Sequence, residues 1–155
     1  MITDVVFYLR TLKPPPRRDA DDSEVAAGEA AFAQIGCARC HLPSLTTGAS
    51  SIVPLNRVTF HPYTDLLLHD MGPELDDNYT EGQALTSEWR TAPLWGLGLA
   101  ERSQGGDAFY LHDGRARSLV GAINLHGGEA AASRAAFQAL PAATQSLVIR
   151  FLRSL

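Results

Sequence analysis

Hydrophobic residues recur with helical spacing at both ends of the chain. In residues 1–12 they follow an i, i+3, i+4, i+7 pattern, and three consecutive prolines at 14–16 interrupt it. In residues 141–155 apolar side chains recur at every fourth position, at Leu147, Phe151 and Leu155. Because this spacing places apolar side chains on one face, it predicts an amphipathic helix in each segment.

A third helix is predicted over residues 23–35. Asp22 or Ser23 can cap its first turn, and Gly36 can end it in the left-handed conformation. Gly28 lies on the same face as the apolar residues of this segment.

The middle of the chain lacks a long periodic segment. Prolines and glycines in residues 42–63 predict an irregular loop or a short hairpin. Residues 88–99 hold both tryptophans together with proline and glycine, so this segment is predicted to be extended. Short helices are predicted over three further segments, 64–69, 118–126 and 129–140.

The chemistry of the chain is concentrated in the sequence CARCH at residues 37–41. In a Cys-x-x-Cys-His motif, two thiols one helical turn apart can add to the vinyl groups of a haem, and the histidine can ligate its iron. Cys37 and Cys40 are the only cysteines of the sequence. The motif therefore predicts one covalent haem c with His41 as the proximal iron ligand.

Two other kinds of site use paired cysteines. A thioredoxin-like dithiol requires a strand before the motif, whereas the preceding residues predict a helix. A structural zinc site requires four ligands, and none of the candidate histidines lies at a zinc-finger spacing from the cysteines. These candidates are His61, His69, His112 and His126.

Composition narrows the class of protein further. The chain has 155 residues, which is the size of one domain, and a formal net charge of −4 without a dense basic run. We therefore expect no nucleic-acid partner. No segment approaches the roughly 18 apolar residues of a membrane span. Haem c attachment predicts a periplasmic location, yet residues 1–12 lack a signal peptide pattern, which suggests a longer protein.

Four stretches together resemble the bacterial di-haem thiol oxidoreductases, which are also labelled peroxidases. This family is distantly similar to the di-haem cytochrome c peroxidases and to the di-haem enzymes of methylamine utilisation. The resemblance covers about residues 19–155. The stretches are residues 63–72 (YTDLLLHDMG), 88–98 (EWRTAPLWGLG), 110–116 (YLHDGRA) and 122–129 (AINLHGGE).

The resemblance implies a domain organisation. Members of the family have two haem domains, and this sequence has one Cys-x-x-Cys-His. Residues 19–155 then correspond to the C-terminal haem domain, and residues 1–18 to a helix and proline-rich linker from a preceding domain. An N-terminal helix packed on the same domain is the alternative.

The fold expected from the resemblance is all-α and cytochrome c-like, with long irregular loops wrapped around one covalent haem. Gly28-x-x-x-Phe32, ahead of the attachment motif, is similar to the N-terminal helix of cytochrome c. In that family the glycine permits close crossing with the C-terminal helix.

The resemblance also implies a second iron ligand. In the peroxidase relatives it lies at a fixed distance after a Tyr-x-His-x-Gly stretch and is a methionine, or a tyrosine in the methylamine enzyme. Counted from Tyr110, this position is His126, with Met71 as the alternative. A histidine on an apolar helix face is also often a core residue. His69, His61 and His112 are weaker candidates.

Further residues are candidates for contacts with the haem. Arg115 is predicted to pair with a propionate, with Arg117 and Arg90 as alternatives, because guanidinium groups match carboxylates. Trp95 and Trp89 are expected to line the haem or an electron route to a second haem. Each arginine could equally lie on the surface, and at least one tryptophan in the core.

The resemblance suggests partners and a function. The partner is a second haem domain or a redox protein, and the chain is predicted to be an electron-transfer domain of a di-haem oxidoreductase. Alternatives are a peroxidase or thiol oxidoreductase whose haem opens to substrate, and a gas-binding sensor. Calcium binds between the domains of the peroxidase relatives, but Asp107 alone does not make a calcium site.

Overall fold

The computed structural model describes residues 2–155, in which helices and short strands alternate with long connections. The helices are α1 (Ile2–Thr11), α2 (Ser23–Gln34), α3 (Ala100–Ser103), α4 (Leu119–Asn124), α5 (Ala131–Ala139) and α6 (Ala142–Ser154). The strands are β1 (Leu45–Thr46), β2 (Thr59–Phe60), β3 (Leu68–Asp70) and β4 (Glu88–Arg90). Four 3₁₀ turns lie between them, at Cys37–Arg39, Val53–Leu55, Leu97–Leu99 and Gly128–Ala130.

The expectation of an all-α, cytochrome c-like fold is wrong. Helix makes up 43% of the chain and strand 8%, in two small antiparallel sheets. β1 pairs with β2, placing Leu45 opposite Phe60, and β3 pairs with β4, placing His69 opposite Trp89. The long connections form these ladders because their backbone N–H and C=O groups need partners. The fold does not show loops wrapped around a haem.

The helix predicted over residues 64–69 is also absent. The Thr64 hydroxyl donates to the Thr91 carbonyl at 2.6 Å and accepts from the backbone N–H of Leu66 at 2.9 Å. Leu66 then has a φ of 63°, in the left-handed region, which ends any helical turn. The chain continues into β3 instead.

Most of the other predicted helices are confirmed. Asp22 caps α2 by accepting hydrogen bonds from the backbone N–H groups of Glu24 and Val25. Ser118 caps α4 by accepting from the N–H of Gly121. The segment 129–140 forms a 3₁₀ turn followed by α5, and the N-terminal helix is confirmed from Ile2, since Met1 lies outside the described residues.

The core forms where α2 crosses α6. A Cβ atom on Gly28 would collide with the Leu147 carbonyl, so the close crossing expected at this glycine is confirmed. One turn further, the rings of Phe32 and Phe151 lie 5.2 Å apart between centroids. This crossing fixes the end of α2, from which residues 37–41 continue.

Helix α1 differs from the other helices because all of its residues are exposed. Residues 13–18 return to the core, where the backbone N–H of Arg18 donates to the Ser154 carbonyl at 2.8 Å. The boundary after residue 18 stays a prediction. Within residues 2–155, no helix combines the length and the apolar character needed to cross a bilayer.

Candidate functional site

The attachment motif lies directly after α2. Gly36, with a φ of 90°, turns the chain into the 3₁₀ turn Cys37–Arg39, and Cys40 follows directly as its C-cap residue. Both cysteines are free and half-buried. Burial raises the pKa of the Cys37 thiol to about 11, and burial, with the carboxylates of Asp65 and Glu129, also raises the pKa of Cys40. These thiols lack the lowered pKa of a redox-active dithiol.

His41 is held in one tautomer by the backbone. Its Nδ1 lies 2.9 Å from the carbonyl oxygen of Tyr63, which can only accept, so Nδ1–H is the donor. Burial lowers the pKa of His41 to about 4, partly offset by this hydrogen bond. The imidazole is therefore neutral at pH 7 and has a free lone pair on Nε2.

His126, much later in the chain, is also held in one tautomer by a backbone carbonyl. Its Nδ1 donates to the Ala122 carbonyl at 2.8 Å, four residues back at the end of α4. Burial lowers the pKa of His126 as well. This histidine too presents an unprotonated Nε2. Hydrogen bonding of the second ring nitrogen to a carbonyl is typical of histidines that bind metals.

The imidazole rings of His41 and His126 lie close together. Their ring centroids are 6.4 Å apart and their planes are inclined by 46°. A metal ion lies about 2 Å from a histidine nitrogen, so two rings that bind one ion from opposite sides have centroids about 6 Å apart. The spacing of His41 and His126 is therefore compatible with one iron bound by both rings.

Three charged side chains, Asp65, His69 and Glu129, lie together at one edge of this site and are called the His69 group. The ring of His69 lies between two carboxylates, with Nε2 2.9 Å from Asp65 and Nδ1 2.9 Å from Glu129. The Glu129 hydrogen bond, and then that of Asp65, raise the pKa of His69. Nδ1 is also 3.8 Å from the Cys40 sulfur. The group joins the attachment motif to the loop that follows His126.

The same edge also contains potential ligands for a metal ion other than iron. Cys40, Asp65 and His69 form the one grouping of three potential ligands in residues 2–155, with ligand atoms within 4.8 Å of one another. Both nitrogens of His69 already bond to carboxylates, and the raised pKa favours the imidazolium, which has no lone pair for a metal. The arrangement does not fit zinc.

The backbone of Met71 lies next to the loop that follows His126. Its N–H donates to the Ser87 carbonyl at 2.9 Å, and Gly127 packs against its carbonyl so closely that a Cβ atom would not fit. Gly127 directly follows His126. Both candidate distal ligands therefore come from neighbouring segments, and the side chain of His126 is described close to that of His41.

Comparison with protein families gives one match. The family described as "Di-haem oxidoreductase, putative peroxidase" matches residues 1–155. The chain belongs to this family. Its members are haem-dependent redox proteins by that description, which agrees with the paired histidines and the attachment motif. No curated protein matches the chain, and no solved structure matches it.

Two of the three arginines that the sequence predicts at a haem have other described partners. Arg115 pairs with Asp113 and donates to the Glu74 carbonyl. The guanidinium of Arg117 stacks 3.8 Å from the centre of the Phe109 ring. Arg90 is exposed in β4. Their pairing with a propionate stays a prediction.

The two tryptophans lie in different surroundings. Trp89 stacks on His112 with ring centroids 3.5 Å apart and donates its indole N–H to the Leu75 carbonyl. Trp95 packs 5.9 Å from Phe60 and lines a cavity of about 460 Å³ beside the prolines at 14–16. The predicted role of Trp95 at the haem is not tested by these contacts.

The segment around Asp107 forms a second cavity, of about 410 Å³. Glu101 also lines it, together with the cationic side chains of Arg117 and Arg153. The positive charges of these arginines disfavour a bound cation in the cavity. Asp107 belongs to no grouping of three potential metal ligands in the described part of the chain, so calcium gains no support.

The sequence predicted no role at this site for three residues, Tyr63, Glu29 and Arg17. The Tyr63 carbonyl holds the His41 ring, and the Tyr63 hydroxyl bonds to Glu29, which pairs with Arg17. A backbone acceptor can come from any residue type. Only the three-dimensional path of the loop shows that this tyrosine belongs to the site.

Proposed function

We propose that this chain is the electron-transfer unit of a di-haem oxidoreductase and carries one haem c. Cys37 and Cys40 would attach the haem through thioether bonds, and His41 and His126 would ligate its iron. When bound, such a haem supplies one-electron chemistry at its iron.

The proximity of the His41 and His126 rings is the observation that carries this proposal. The rings lie 6.4 Å apart, and each has its Nδ1–H bonded to a carbonyl. Both rings are thereby oriented before any ligand arrives, so little rotational freedom is lost on binding. Two neutral imidazoles would fill both axial positions. A site closed in this way favours electron transfer over binding of a substrate.

The proposed partner is a second haem unit. The description of the family names two haems, whereas this sequence has only two cysteines, which are enough for one attachment motif. We therefore propose that the second haem is held by another polypeptide segment. We also propose a periplasmic location, because haem c is attached to its thiols in an oxidising compartment outside the cytoplasm.

Carbon monoxide tests the closed site directly. The haem-loaded protein is reduced and exposed to carbon monoxide while its visible spectrum is followed. We expect no change in the wild type, since His126 occupies the position that the gas would need. The His126→Ala variant is the matched control, and its spectrum should shift at once. A rapid shift in the wild type contradicts the proposal and favours a peroxidase, a thiol oxidoreductase or a gas sensor.

A further inference from the structure

Tyr63 holds the proximal histidine while its own backbone is strained. Its carbonyl accepts the Nδ1–H of His41 at 2.9 Å. The φ of Tyr63 is 53°, in the left-handed region that residues with a bulky side chain rarely adopt. Such a conformation persists only where the surroundings hold it in place.

The neighbouring peptide groups hold the backbone of Tyr63 from both sides. The N–H of Leu94 donates to the Pro62 carbonyl at 2.9 Å, and the N–H of Thr64 donates to the Leu42 carbonyl at 3.2 Å. Pro62 and Thr64 are fully buried. These bonds limit how far the segment can move. The Tyr63 carbonyl shares a planar peptide group with the Thr64 N–H, so its direction depends on the bond to Leu42 and on the position of the Tyr63 Cα, which the side chain anchors.

The side chain of Tyr63 is anchored at its far end. The ring packs edge-on against Phe151, with centroids 5.5 Å apart, and its hydroxyl donates to Glu29 Oε1 at 2.7 Å. Glu29 is fixed in turn by Arg17, whose guanidinium lies 2.8 Å from Glu29 Oε2. A buried ring with an anchored hydroxyl cannot rotate freely.

We propose that Tyr63 is a positioning residue for the haem iron, because its anchored side chain fixes the carbonyl that accepts the His41 Nδ1–H. This rests on the proposed function, in which His41 is the proximal ligand. A strong hydrogen bond from Nδ1–H makes an imidazole a better electron donor, which stabilises the oxidised iron. Loosening the carbonyl should therefore raise the reduction potential.

The first test compares two tyrosine variants of the haem-loaded protein by spectroelectrochemistry. Tyr63→Phe keeps the ring but removes the hydroxyl that bonds to Glu29. Weakening one hydrogen bond should raise the ratio of reduced to oxidised haem about threefold at a fixed potential. This equals a midpoint shift of about +30 mV for a one-electron couple. Tyr110→Phe is the matched control, since Tyr110 lines the other cavity and should leave the midpoint unchanged.

The second test changes the anchor and leaves Tyr63 in place. Glu29→Leu and Glu29→Gln both remove the negative charge, but only glutamine still offers an oxygen to the Tyr63 hydroxyl. We expect Glu29→Leu to raise the midpoint as Tyr63→Phe does, and Glu29→Gln to stay near the wild type. The Glu29 side chain is 35% exposed, so both variants should fold.

The outcomes are separable. A Tyr63→Phe midpoint equal to that of Tyr110→Phe overturns the inference, as does an equal shift in both Glu29 variants, which would make charge the cause. If Tyr63→Phe does not fold, the two Glu29 variants decide. A wild-type spectrum without two imidazole ligands would refute the proposed function instead, before any variant is compared.

Discussion

Gly28 lies against the Leu147 carbonyl so closely that no side chain fits between α2 and α6. The contact joins the helix that precedes the attachment motif to the last helix of the chain. Any change that separates these helices also moves the end of α2, and with it residues 37–41.

Gly28→Ala should destabilise the protein although alanine is the better helix former. Alanine normally stabilises a helix by about 1 kcal/mol relative to glycine. Here the added methyl group must push the helices apart, and overpacking of this kind costs about 3 kcal/mol. Chemical denaturation measures the difference. Gly48→Ala is the control, because a Cβ atom there meets no other atom within 4 Å. If Gly28→Ala left the free energy of unfolding unchanged, the two helices would be shown to have room for a methyl group at their crossing.

The two cysteines predict the covalent attachment of haem. Cys37→Ala or Cys40→Ala should leave one thioether bond, and the double variant should leave none, since the sequence contains no other thiol. Haem staining after denaturing electrophoresis measures this. A double variant that still stains would be incompatible with thioether attachment. Ser44→Ala, close to the motif but without a thiol, should stain like the wild type.

The distal ligand can be identified by its spectrum. With His41 and His126 as ligands, the oxidised protein should be low-spin, and His126→Ala should be high-spin with an exchangeable water on the iron. Met71→Leu is the matched control and should leave the electron paramagnetic resonance spectrum unchanged. The reverse pattern, with Met71 decisive, would make His126 a core residue. Thioether ligation would also raise the reduction potential.

The His69 group predicts a pH dependence of stability. Glu129 and Asp65 raise the pKa of His69, so its contribution is complete below about pH 6.5 and is lost as pH rises through the raised value. The pKa values of both carboxyls are lowered by hydrogen bonds to His69 and to the backbone, and their contribution is lost as pH falls below about 4.5. The group therefore stabilises the protein most between these limits.

Thermal unfolding of the haem-loaded protein at several pH values tests this window. His69→Gln should lower Tm by a few degrees near pH 5.5, and the difference from the wild type should shrink at higher pH. His61→Gln serves as the control, because the described contact of His61 is with the Pro43 carbonyl. A difference that does not change with pH would show that His69 acts through packing alone.

The sequence predicted those elements whose signals are local. Asp22 and Ser118 mark the starts of α2 and α4, because a cap acts on the next two or three residues. The helix predicted over residues 64–69 was wrong for a non-local reason. The Thr64 hydroxyl bonds to the carbonyl of Thr91, a residue far along the chain, and no local pattern could show this. The strands have only two or three residues each, too few for a periodic pattern.

The candidate site was predictable to the same extent. The motif predicts His41 as an iron ligand, and the family resemblance predicts His126 from its position relative to Tyr110; the structure places the two rings 6.4 Å apart. The sequence did not identify Tyr63, because the atom that matters is a backbone oxygen. It also predicted haem contacts for Arg115, whose described partners are Asp113 and Glu74. Side-chain chemistry shows what an arginine can bind, but the fold decides which acceptor is within reach.

The two histidines differ in how far along the chain their hydrogen-bond partners lie. His126 donates to Ala122, within the same turn of backbone, so this half of the site can assemble as soon as α4 winds. His41 donates to Tyr63, across a loop that contains β1 and β2. Closing such a loop costs entropy and takes longer. During folding, the distal side should be ordered early, and the proximal side should be ordered only when the loop has docked.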